Sequence, residues 1–148
     1  MKKLESLAKA GKINEEASVK DKQSIIIQKP IEEVWERLTT INEWSSWNSQ
    51  VSDVSAENIP ENRQFNWILN GNGLQSKIAL LSKPVAFSFI SRSSLLKMVI
   101  LFKLEEIGTK ETAVEMEGSM EGLKTIFAYK HRKIHKSFLK WLEDLRKS

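Results

Sequence analysis

Apolar and polar residues alternate along most of this chain, and the period changes at only a few places. Residues 1–11 carry Leu4, Leu7 and Ala8 at helical spacing, closed by Gly11, and read as a short amphipathic helix or a leader. From Ile13 the series Ile13, Glu15, Ala17, Val19 runs on into Ser24–Gln28, which predicts one long or bulged strand. Pro30 then sits where a helix begins, and Glu32 and Glu33 suit its first turn. Ile31, Val34, Trp35 and Leu38 recur at helical spacing, and the β-branched pair Thr39–Thr40 weakens the end of that helix. Val34–Asn48 holds three of the five tryptophans, Trp35, Trp44 and Trp47. The spacing of the last two predicts a second short helix, with Ser45 and Ser46 left towards water.

Alternation then returns. Phe65, Trp67 and Leu69 share one face, and Asn70–Gly73 ("NGNG") is a hairpin turn, because Asn and Gly tolerate positive φ. Leu74, Ser76, Ile78 and Leu80 follow on one face; Val85, Phe87, Phe89 and Ser91 on the next strand; then Met98, Ile100, Phe102 and Leu104; then Val114 and Met116. Successive hairpins predict an antiparallel sheet with one packed face and one wet face. Beyond Gly122 there is neither Pro nor Gly. There Leu123, Phe127, Ile134, Phe138, Trp141 and Leu145 fall in one stripe of a long amphipathic helix. The expected class is α+β: a sheet of about seven strands curled around a long C-terminal helix. A concave sheet against a straight helix leaves a space, filled or open, where a ligand site is expected.

Composition narrows the functions. A length of 148 residues suits one domain, and 41% hydrophobic with 28% charged residues is globular rather than disordered. The absence of cysteine excludes a disulfide framework, a thiolate metal site and a cysteine nucleophile, and fits a reducing, cytoplasmic setting. No apolar run approaches the roughly 18 residues of a membrane span, and the N-terminal residues lack the apolar core of a signal peptide. The net charge is +4, but Lys124–Ser148 holds eight Lys/Arg against Glu143 and Asp144, a surplus of six that leaves the remainder at −2. Such a helix face is either simply solvated or a patch for acidic lipid, RNA or an acidic partner. Only Tyr129 offers an exposed ring beside these charges, so nucleic-acid binding is not expected.

The run Lys29–Ser49, "KPIEEVWERLTTINEWSSWNS", resembles the "APxxxVWxxLTDxxxWxxWxP" opening of the SRPBCC superfamily, also called Bet v 1-like or START-like, and especially its polyketide cyclase/dehydrase branch. Phe65–Trp67, Leu74–Ile78, Pro84 before Phe87 and Phe89, Gly108–Thr109, Gly122 and the closing "WLEDLRK" are similar to later motifs of that branch, in the same order. The resemblance covers about residues 13–147. It divides the chain into residues 1–12, a leader or short helix, and a single domain at 13–148. It implies a helix-grip fold with a cavity for a small hydrophobic molecule. Thr40 stands where Asp is common, Ser45 and Ser49 where Pro is common, and Asn62 where Gly is frequent, which puts loop geometry in question.

Little in the sequence suggests chemistry. His131 and His135 have the i,i+4 spacing of a metal pair, but Arg132 stands where a zinc-protease helix needs Glu, and no third ligand is evident. No metal and no cofactor is expected. His131 lies in the apolar stripe, as a structural histidine or one facing a cavity; His135 lies at its edge and reads as solvated. Gly118–Gly122 ("GSMEG") places Ser119 one position too early for a nucleophile elbow. Asn70–Gly73 precedes no helix, and Glu115 and Glu117 alternate with packed residues. What remains is an apolar lining: Phe65, Trp67, Phe87, Phe89, Ile100, Phe102, Met116 and Phe127, with Ser76 and His131 as its polar groups. Trp67 and Phe89 are favoured as ligand contacts by the resemblance, and Trp44 and Trp47 are expected to close one end. The leading expectation is a binding or carrier protein for a small hydrophobic molecule. A cyclase/dehydratase-type enzyme and an interaction module using the basic helix are the alternatives.

Overall fold

The computed structural model describes residues 1–56, 63–94, 96–122 and 131–148. Helix α1 (Lys2–Lys9) precedes strand β1 (Val19–Ile27). Helix α2 (Ile31–Thr39), a 3-10 turn at Ile41–Glu43 and the one-turn helix α3 (Trp44–Trp47) follow. Then come β2 (Val51–Ser55), β3 (Gln64–Leu69), β4 (Asn72–Ser82), β5 (Ala86–Arg92), β6 (Lys97–Gly108) and β7 (Glu111–Glu121), and finally α4 (His131–Lys147). The strands form a single antiparallel sheet in the order β1-β7-β6-β5-β4-β3-β2. The first strand pairs with the last, so α2 and α3 carry the chain from one sheet edge to the other. This is the expected helix-grip α+β architecture.

The predicted hairpin closes at Asn70 and Gly71, which both adopt positive φ, 49° and 81°. A two-residue turn of that kind matches the twist of the strands it joins. Strand parity also follows the sequence. Phe65, Trp67, Leu74, Ile78, Phe87, Phe89, Met98, Ile100, Phe102, Val114 and Met116 all join the core on the concave side. From α4 that core receives Ile134, Phe138, Trp141, Leu142 and Leu145.

Three expectations are corrected. In β4 a bulge after Ile78 turns Leu80 to the convex side, opposite Ser88, and puts Leu81 opposite Phe87 on the concave side instead. The first strand does not begin at Ile13. Asn14 instead builds a turn, its Oδ1 accepting from the Glu16 N–H (3.2 Å) and its carbonyl from the Ala17 N–H (3.1 Å), and pairing starts at Val19. Nor is the second sheet face wet throughout. Leu4, Ala8 and Ile13 cover Ala79, Ile90, Val99 and Leu101 on the convex face, so that β5 is buried on both sides from Phe87 to Ser91. Ser88 Oγ donates to the Ala8 carbonyl at 2.8 Å, and Glu5 pairs with Lys77 at 2.8 Å. The hydrogen bond and positive charge of Lys77 hold the Glu5 carboxyl below its usual range.

Candidate functional site

From β3 to β6 the middle of the concave face is built of apolar side chains and serines, Phe65, Trp67 and Leu69; Leu74, Ser76 and Ile78; Phe87, Phe89 and Ser91; Met98, Ile100, Phe102 and Leu104, with Asn72 and the exposed Glu106 at its ends. Against this floor lie α3 and α4. Trp44 is fully buried and forms the centre, with its ring centroid 5.2 Å from Trp67, 5.3 Å from Trp141, 5.6 Å from Phe65, 5.6 Å from Phe89 and 6.5 Å from Phe87. Most of these contacts are edge-to-face, the arrangement that ring quadrupoles favour. Its Nε1–H donates to the Leu38 carbonyl at 2.8 Å, which locks the indole to the end of α2. Trp44 therefore sits in the middle of the core, not at the mouth where the sequence places it. Trp47 is half-buried and meets Trp141 edge-on at 6.3 Å.

The rings fill the floor around Trp44. Phe87, Phe89 and Phe102 are 0% exposed, so no water-sized gap lies against them, and Trp67, 1% exposed, borders an open groove beside Asp53 and Ser93. Two open grooves, of about 690 and 540 Å³, share Asn66, Gln75 and Arg92; Trp67 and Leu74 also border the first, and Phe65 and Ser76 the second. Ile100 and Met116 are buried on the floor beside Phe102. Phe127 and the side chain of His131 lie outside the described residues.

Three polar sets border this core. Trp67 Nε1–H donates to Ser76 Oγ at 2.7 Å, and Ser76 and Ser91 share a short hydroxyl–hydroxyl bond. At the β1 edge, Gln23 Nε2 lies 2.6 Å from His135 Nδ1, with Asp21 Oδ2 3.5 Å from the same nitrogen. His135 is half-exposed but partnered, rather than simply solvated. At the α3–α4 junction, Trp47 Nε1, Asn48 Nδ2 and Trp141 Nε1 are buried with no protein acceptor among the described residues.

The junction itself is tied by polar bonds. Ser49 donates its N–H (2.9 Å) and hydroxyl (2.7 Å) to Asp144, and Gln50 exchanges bonds with Ser137 (3.0 and 2.7 Å). Burial raises the Asp144 carboxyl pKa, but the two Ser49 bonds and Lys140 outweigh it and hold the group below its usual range. A proline at position 49 would lack the donating N–H. The departure from the common Pro thus has a physical role: it anchors the loop to α4.

On the outer face of α4, Arg132, Lys133 and Lys136 are exposed and have no ion-pair partner among the described residues, whereas Lys140 pairs with Asp144 and Arg146 with Glu143. Also among the described residues, no cluster of three or more His, Asp or Glu is placed to hold a metal, and no helix is long and apolar enough to cross a membrane. Sequence reasoning passed over Asn48, Trp141, Ser91, Asp21 and Gln23 as site residues. Trp141 was visible only as one member of the apolar stripe.

No protein-family model matches the sequence, and no curated protein matches it. Solved structures do match in shape. A hypothetical protein from Helicobacter pylori superposes with a TM-score of 0.79 at 11% identity, over 91% of this chain and 90% of that one. A START superfamily protein from Mycobacterium smegmatis gives 0.67 at 12% identity, over 86% and 92%. The di-domain ARO/CYC BexL from the BE-7585A biosynthetic pathway gives 0.71 at 13% identity, over 86% of this chain and 45% of that protein, as a match to half of a two-domain chain would. The curved seven-stranded sheet gripping a C-terminal helix, shared with these structures, is the START-like (SRPBCC, Bet v 1-like) fold, and it is the fold of this protein.

Proposed function

We propose that the protein binds a small, largely apolar molecule between the concave face of the sheet and α4, and holds or carries it rather than transforming it. The observation that carries this reading is the composition of the floor: between Asn72 and Glu106 at its ends, the concave positions of β3 to β6 are apolar or serine. Such a surface binds by excluding water and orients its guest through a few polar atoms. Trp67, Phe89, Phe65, Phe87, Ile100, Phe102 and Met116 supply the apolar contact, and Ser76, backed by Ser91, supplies a hydroxyl. Trp44 and Trp47 join them from above. Likeness of fold to a START superfamily protein supports the same reading. Because the rings are packed together, entry requires that members of the cluster part, and the apparent affinity is lowered by the cost of that opening.

The test is extraction and displacement. Purified protein is denatured and its small-molecule content read by mass spectrometry, and the native protein is titrated with 1-anilinonaphthalene-8-sulfonate. The expected result is a retained apolar molecule and saturable dye binding that this molecule reverses. Absence of both a retained molecule and dye binding would overturn the reading.

A cyclase- or dehydratase-type enzyme is the second reading, and one observation favours it: His135 at the edge of the concave face has Gln23 and Asp21 against Nδ1. An imidazole held at one nitrogen by a side-chain amide, itself bonded to Asp21 at 3.2 Å, is available for general acid–base work at the other, and one structural neighbour is an ARO/CYC protein of a biosynthetic pathway. If it holds, His135→Gln abolishes turnover of a polyketide-like substrate while circular dichroism stays unchanged. Full activity in that variant removes it.

A further inference from the structure

Buried donors in a folded protein are paired, and a cluster of unpaired ones calls for an acceptor. Most of the interior here obeys that rule: Trp44 Nε1 has the Leu38 carbonyl, Trp67 Nε1 has Ser76, Ser88 has the Ala8 carbonyl and Thr112 has the Lys29 carbonyl. The exceptions among the described residues are Trp47 Nε1, Asn48 Nδ2, Trp141 Nε1 and, in the β5–β6 turn, Ser93 Oγ. Three of the four belong to one place. The Trp47 and Trp141 rings meet at 6.3 Å with an interplanar angle of 80°, and Asn48 follows Trp47 in the chain. All three are N–H groups. The Asn48 amide is not reversed, because its Oδ1 already accepts from the Gln50 N–H at 3.1 Å, which leaves Nδ2 as the free end. Asn48 is 0% and Trp141 2% exposed, so bulk water does not serve them.

We infer that the α3–α4 junction is the polar end of the ligand site and takes a neutral carbonyl oxygen, that of a ketone, quinone or ester, on Trp47, Asn48 and Trp141. This rests on the proposal that an apolar molecule binds over the concave face. An oxygen with two lone pairs and no hydrogen matches a set made only of donors, whereas a hydroxyl or amine would present a hydrogen with nothing to receive it. A carboxylate is disfavoured by Asp144, whose charged and mostly buried side chain is bonded to Ser49, the residue after Asn48. Trp141 links this end to the floor, since its ring also meets Trp44, Trp67 and Phe102 at 5.3, 5.8 and 5.8 Å. A molecule lying on those rings thus has its oxygen within reach of the junction.

Two probes of nearly equal shape separate the possibilities: 2-acetylnaphthalene, which has the carbonyl, and 2-ethylnaphthalene, which lacks it. Each is titrated into 15N-labelled full-length protein while the indole N–H resonances are followed. The ketone is expected to bind about tenfold more tightly, the ratio for one net hydrogen bond, and to move the Trp47 and Trp141 indole signals downfield. Trp141→Phe removes ring contact for both probes alike and is expected to bring the ketone-to-hydrocarbon affinity ratio from about tenfold towards one. Trp47→Phe gives the same comparison if the first variant does not fold. Equal binding of both probes, or a ketone that leaves these two signals in place, overturns the carbonyl assignment and leaves the apolar site standing. Failure of both probes to bind overturns both.

Discussion

Phe138 of α4 rests on the α-carbon of Gly118 in β7. A β-carbon at Gly118 would lie 2.5 Å from Phe138 Cζ and 2.9 Å from Ile100 Cδ1. Here the glycine serves for close approach, and it sets how near the helix comes to the sheet. Gly118→Ala is therefore expected to destabilise the fold by about 1–3 kcal/mol through overpacking. Thermal unfolding checks this, and an unchanged midpoint would show that α4 can shift outwards without cost.

The second prediction concerns acid. Asp144 is held below the usual carboxylate range, so its bonds to Ser49 contribute stability that is complete above the ordinary Asp value of about 4. That stability is lost as pH falls through the lowered value in the folded state. Ser49→Ala removes the hydroxyl bond and is expected to cost about 1.5–3 kcal/mol near neutrality, as for bonds to charged groups. Urea unfolding from pH 7 to pH 2 should show the gap between the two proteins closing at the acid end. A gap independent of pH would mean that the cost is packing, not the carboxylate.

Trp44 is the third test. Its ring meets five others, so Trp44→Ala leaves a large void at the centre and is expected to cost about 3–5 kcal/mol. Domains have only about 5–15 kcal/mol in total, so the variant should unfold at much lower denaturant. A small loss would show that the neighbouring rings collapse into the space.

The fourth prediction is for α1. Leu4 is buried against the convex face with Ala8 and Ile13, over Ala79, Ile90, Val99 and Leu101. Leu4→Ala is expected to cost about 2 kcal/mol, the low end for a buried leucine, because a terminal helix can readjust. Faster amide hydrogen exchange confined to residues 2–9 would show local opening of α1. A loss spread through β4–β6 would show that the convex cover and the sheet unfold as one unit.

The residues differ in how much they disclosed in advance. Asn70–Gly71 disclosed its turn because the required φ is local. The parity of Phe65/Trp67, Phe87/Phe89 and Ile100/Phe102 disclosed which face they occupy because a strand has a period of two. Helical spacing says nothing of depth, so it puts Trp44 at an edge although five rings surround it. Ile13 and Ala17 imitate a strand through alternation, and only the Asn14 side chain reveals the turn. The bond from Ser49 to Asp144 joins residues far apart in the chain, and no local pattern encodes it. The unpaired donors of Asn48 and Trp141 are still less visible, because a missing partner is a property of the whole fold.

The contacts of Trp44 with Trp67 and Trp141, at 5.2 and 5.3 Å, have an optical consequence. Three indoles this close, held at steep angles and shielded from water, couple their electronic transitions, and energy absorbed by one passes to the others. Emission from the folded state should be blue-shifted and should report on the cluster as a unit. Any molecule that parts these rings would then change the light the protein emits, and binding could be followed without attaching a dye.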